Sequence, residues 1–184
     1  MTKDPITVDI RPPKGATMSF PGWTLQGHWN PNEAERLASW DILVELVTRI
    51  SVVPLGDDQG ILREALSSLH ALFGSARATL QRHGPTLAEE RRGELSFAVI
   101  CAHMLNGALR PVLVEWHPKL KGYEVASGSA AAPSREMEAL WPDQGDLRRL
   151  LRELQAVLVR YAVVFAEACG AREFVRFLLD DHGH

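Results

Sequence analysis

Between Leu95 and Leu109 the chain reads Leu-Ser-Phe-Ala-Val-Ile-Cys-Ala-His-Met-Leu-Asn-Gly-Ala-Leu, an almost unbroken apolar run without alternation. Wound as a helix, this segment is hydrophobic on nearly every side, and such a rod is stable in water only when other elements surround it. It is also interrupted by His103, Asn106 and Arg110, so it does not read as a membrane span. The fold is therefore expected to wrap partner helices around this central element.

The partners are visible in the flanking sequence. Asn30-Pro31-Asn32-Glu33 offers an asparagine cap, a proline in the first turn and an acidic residue at the positive helix end. Leu37, Trp40, Leu43, Val44, Val47 and Ile50 then recur every three or four residues as the inward face of a first helix that Pro54 and Gly56 end. A second helix is expected from Asp57 or Asp58 to His83-Gly84-Pro85, with an inward stripe from Ile61 to Leu80. The third begins after Thr86, meets Pro111, and closes at Trp116-His117-Pro118. A Gly/Ser/Ala stretch over 126–134 reads as a loop, and Met137 to Trp141 as a short helical turn. The fourth helix, Asp146 to about Cys169, keeps its leucine and valine stripe for six turns and stops at Gly170.

Before the helices, Ile6-Thr-Val-Asp-Ile10 alternates like a strand, and residues up to Trp29 mix strand formers with Pro21, Gly22 and Gly27. This arm reads as a hairpin or an irregular segment pinned by Trp23 and Trp29. The expected architecture is all-α: an antiparallel four-helix bundle over 32–170, an N-terminal arm over 1–31, and a short C-terminal helix and tail over 171–184, in one domain.

Composition narrows the function classes. A net charge of −3 gives no general attraction to nucleic acid or anionic lipid. Cys101 and Cys169 lie in apolar helical patterns and read as reduced, buried thiols, and the opening Met1-Thr-Lys-Asp-Pro-Ile6 carries no secretion signal. A cytoplasmic location without membrane association is expected, and nucleic acid is not the expected partner. No histidine pair has metal-ligand spacing on a helix and no glycine-rich phosphate loop is present, so neither a metal nor a cofactor is expected.

Two sets of residues are candidates for function. His103, Asn106 and Arg110 fall on one side of the third helix, where they form an internal polar network, line a ligand pocket with Trp116 and His117 at its mouth, or lie exposed on one rim; Glu45 or Glu64 is the carboxylate expected to meet Arg110. Phe174, Phe177 and Leu178 give the C-terminal segment an apolar stripe, suited to a fifth core helix or to a protein partner.

Two resemblances add context. Arg77 followed six positions later by His83 is similar to the spacing of HEPN ribonucleases, which implies a histidine acting as acid or base and an arginine on phosphate charge; Ala78 stands where that family has a polar residue. The run from Leu43 to Ile50, the run from Leu62 to Phe73, and above all Leu109-Arg-Pro with Trp116-His-Pro resemble an uncharacterised family of bacterial helical proteins found in or near anti-phage conflict loci, over residues 37–170. That resemblance implies a role within a multi-component system and no catalytic mechanism. The reading that follows is a non-catalytic interaction or adaptor module that binds a protein partner or its own copies. The alternatives are a small-molecule or nucleotide sensor, and a HEPN-like ribonuclease.

Overall fold

Alternation in Ile6–Ile10 turns Ile6, Val8 and Ile10 inward and leaves Thr7 and Asp9 to solvent, as a strand with one covered face requires. In the computed structural model, which describes residues 5–17, 23–49, 60–89, 91–128 and 134–180, this strand (β1, Ile6–Ile10) pairs antiparallel with β2 (Leu25–Trp29), Ile6 opposite Trp29 and Ile10 opposite Leu25. The N-terminal segment contributes this small two-stranded sheet. Trp23 and Trp29 are completely buried, and Trp29 meets Phe165 edge to face at 6.4 Å. At Gly27 a Cβ would come within 2.9 Å of the Leu95 side chain, which would have to shift, beside a bond from the Leu95 amide to the His28 carbonyl.

The rest of the described chain is predominantly helical: α1 (Glu33–Thr48), α2 (Leu62–His83), α3 (Phe97–His103), α4 (Arg110–Ala126), α5 (Arg135–Ala139), α6 (Gln144–Cys169) and α7 (Arg176–Asp180). Asn32 caps α1 in a reciprocal capping box with Glu35, and Gly170 closes α6 in a left-handed conformation at φ 74°. α1 lies along α6 and α2, α2 against α4, and β1 on α6, so strands and helices share one core.

Several boundaries differ from the sequence reading. α2 begins at Leu62 rather than at Asp57 or Asp58, which lie outside the described residues, as do Ile50, Pro54 and Gly56. The third helix does not start after Thr86: Gly84–Ala88 forms a 3-10 turn, and α3 starts only at Phe97, where the Ser96 side chain caps the Val99 amide. Nor does it close at Trp116-His117-Pro118. The helix runs on through Pro111 and Pro118 to Ala126 by way of a π-helical segment, Met104–Leu109, in which the Arg110 amide reaches back to Leu105. The wider turn re-pairs the ladder ahead of Pro111, whose ring nitrogen has no hydrogen to donate. Most of the loop expected over 126–134 lies outside the described residues.

The central rod is covered on one side instead of all round. Phe97, Ile100, Cys101, Met104, Leu105, Ala108 and Leu109 are buried, while Val99, Asn106, Arg110 and Val114 face solvent. Phe97–Ala126 is long and apolar enough to cross a membrane by length and composition, and its buried residues belong to the shared core. In α1 the buried stripe is Ala38, Ile42, Leu43, Leu46 and Val47; Leu37 and Trp40, expected inside, are 57% and 46% exposed.

Candidate functional site

The three polar residues of the third helix part company. His103 is half-buried and its Nδ1 lies 2.8 Å from the hydroxyl of Tyr161, a fully buried α6 residue, which makes it an internal tie between α3 and α6. Burial holds the His103 imidazole below its ordinary pKa, partly offset by a hydrogen bond to the Thr24 backbone, and burial together with the nearby Cys101 raises that of Tyr161. Asn106 is exposed and its amide nitrogen donates back to the Ala102 carbonyl at 3.0 Å. Arg110 is also exposed and meets neither Glu45 nor Glu64; Glu45 pairs with Arg49 one turn on. The Arg110 guanidinium carbon sits 5.6 Å from the centre of the Phe73 ring, and the Arg77 guanidinium sits 5.7 Å from that same ring.

Trp116 belongs to an aromatic seam and His117 to a histidine pair one step away. Trp116 packs edge to face on Trp141 at 6.1 Å, Tyr123 stacks on Trp141 at 6.0 Å, and the Tyr123 hydroxyl donates to the Met137 carbonyl, which fixes α5 on α4. His117 stacks on His70 of α2 with ring centres 6.1 Å apart. Arg63 makes a two-pronged ion pair with Glu124 at 2.9 and 2.8 Å, beside Glu138. Burial first, then the positive charge of Arg63, hold the His117 pKa below its usual value.

Both depressed histidines set the direction of the pH response. Below the ordinary value of 6.5, the unfolded chain takes up protons that the folded imidazoles refuse, so their contribution is complete above that value and declines as pH falls beneath it. The melting temperature is therefore expected to drop between pH 7.5 and pH 5.5, and to drop less in His117→Gln. Equal pH dependence in the two proteins would remove His117 from the account.

The C-terminal stripe divides. Leu178 is buried in the core, whereas Phe174 and Phe177 are 38% and 44% exposed. Phe174 stacks on the outward Trp40 with ring centres 5.5 Å apart. Together with Leu37, one α1 turn before Trp40, they form an apolar face that periodicity did not indicate, since Leu37 and Trp40 had been assigned to the interior. A shallow groove of about 350 Å³ between α1 and α2 adjoins Trp40 and is lined by Asp41, Glu45, Ser75 and Arg82 among others. Asp41 accepts from Arg82 and lies 3.0 Å from His83 Nε2. His83 and Arg77 are thus engaged by different neighbours, Asp41 and Phe73.

Among the described residues no group of three His, Cys, Asp or Glu side chains converges as metal ligands would. Neither a protein-family model, nor a curated protein, nor a solved structure matches this chain.

Proposed function

We propose that the chain is a non-catalytic interaction module, built on an antiparallel four-helix arrangement of α1, α2, α3–α4 and α6, that works in the cytoplasm as part of a multi-component bacterial system of the kind its sequence resemblance suggests. The observation that supports this reading is the Trp40–Phe174 stack. Two elements far apart in sequence meet there and still leave Leu37, Trp40, Phe174 and Phe177 substantially in water. Apolar area of this sort is worth roughly 25 cal/mol per Å² when a partner covers it.

The surroundings favour a second copy of this chain as the occupant. Carboxylates and guanidiniums alternate about the patch, with Asp41 and Arg82, Glu45 and Arg49, and Glu173 and Arg176 adjacent to one another. Charge of both signs at the rim leaves self-association open, whereas a face of one sign would repel its own copy.

Light scattering across a concentration series tests this directly. The unmodified protein is expected to reach dimer mass in the tens of micromolar, and Trp40→Asp to remain monomeric with unchanged helicity by circular dichroism. A monomer at every concentration would remove self-pairing, and a dimer unaffected by Trp40→Asp would place the contact elsewhere.

A further inference from the structure

We propose that Arg77 and Arg110, gathered on the Phe73 ring between α2 and the start of α4, form a binding site for a phosphoryl anion, either free phosphate or the phosphate of a nucleotide. Both guanidiniums lie within 6 Å of one ring centre, at 5.7 and 5.6 Å, and both are exposed. Among the described residues neither makes an ion pair with a carboxylate, unlike Arg49, Arg63, Arg82, Arg91 and Arg176. In a chain of net charge −3, two exposed guanidiniums held at one ring without a carboxylate partner give a place that an anion would suit.

The ring explains why the pair is held in place. A cation over an aromatic face is oriented without its N–H groups being consumed, so each planar fork keeps its donors for a ligand. Arg77 stands four residues after Phe73 on the same helix, and Arg110 ends the π-helical segment that packs against α2. The surface beside the ring is open: Gly74 has nothing within 4 Å of where a Cβ would stand, and Ala78 carries only a methyl group. Asn106 does not compete, because its amide donor is turned back on its own helix. A phosphoryl dianion, with three peripheral oxygens, matches two guanidinium forks better than a carboxylate, which one fork satisfies.

The inference is independent of the Trp40 face, and its test reads ligand binding instead of mass. Isothermal titration with inorganic phosphate, pyrophosphate and adenosine 5′-monophosphate is measured on the full chain and on Arg77→Gln, Arg110→Gln and Arg92→Gln. Arg92 is an exposed guanidinium outside the pair. Binding of at least one probe is expected, weakened roughly tenfold or more by Arg77→Gln and by Arg110→Gln and unchanged by Arg92→Gln. Preference for the nucleotide identifies a nucleotide ligand, and equal affinity for phosphate a free anion. No binding of any probe at millimolar concentration overturns the proposal, as does equal weakening by Arg92→Gln or persistence in both pair variants.

Discussion

Glu35→Ala is expected to lower the free energy of unfolding by about 3–5 kcal/mol. The carboxylate is completely buried and ties together three pieces of the chain. One oxygen accepts from the Trp29 indole at 3.2 Å and from the Phe97 amide at 2.9 Å; the other accepts from the Asn32 amide at 2.8 Å and from the Arg91 guanidinium. The end of β2, the start of α1 and the start of α3 therefore converge on one side chain. Truncation leaves four donors without this acceptor, two of them (the Trp29 indole and the Phe97 amide) buried, and the cost of an orphaned buried donor exceeds the modest gain from making its bond. Glu35→Gln keeps one carbonyl acceptor and is expected to lose about half as much. Urea denaturation with an unchanged slope is the measurement. A loss below about 1 kcal/mol for the alanine variant would show that the three elements hold their places without this carboxylate.

What the sequence revealed follows the range of the interaction. The period-two strand at Ile6–Ile10, an asparagine cap and the Gly170 stop are local signals, written within a few residues of the structure they produce, although the cap is Asn32 and Pro31 precedes the helix instead of entering its first turn. The phase of α1 was harder to read. Leu37, Ala38, Trp40, Ile42, Leu43, Val44, Leu46 and Val47 place apolar groups nearly all round the helix, so the pattern fits more than one inward face, and only packing on α6 and α2 selects Ala38–Ile42 over Leu37–Trp40. The π-helical segment had no signal for the same reason, because a uniformly apolar run shows no register to slip. Arg110 reads as part of a polar line that leaves an internal network, a pocket and an exposed rim all open, and the exposure of that side of the helix carries it to Phe73. The roles of Glu35 and Glu138 depend on partners more than sixty residues away, which neither spacing nor composition encodes.

Glu138 carries the second large expected effect. α2 begins after Ile61, which has no side chain able to cap the first turn, yet the opening amides of a helix need acceptors when they are buried. Glu138, from α5, supplies them: its carboxylate accepts from the Leu62 amide at 2.6 Å and from the Arg63 amide at 2.9 Å. The cap of one helix is thus provided by another, so losing it releases α5 as well as fraying α2. Burial raises the carboxyl pKa of Glu138 against the lowering effect of those two amides. A raised folded value means that its charge-linked contribution is present below 4.5 and is lost as pH rises through the folded value, opposite to the depressed histidines. Two consequences separate the cap from the charge. At neutral pH, Glu138→Ala is expected to cost about 2–3 kcal/mol through two orphaned donors. Glu138→Gln keeps an acceptor and sheds the burial penalty of the anion, so it is expected to cost less than half of that and to flatten the weakly acidic part of the stability profile. Denaturation curves of the three proteins at pH 5 and pH 7 decide the matter. Equal losses for alanine and glutamine would mean that charge, not the hydrogen bonds to Leu62 and Arg63, is what α2 requires from α5.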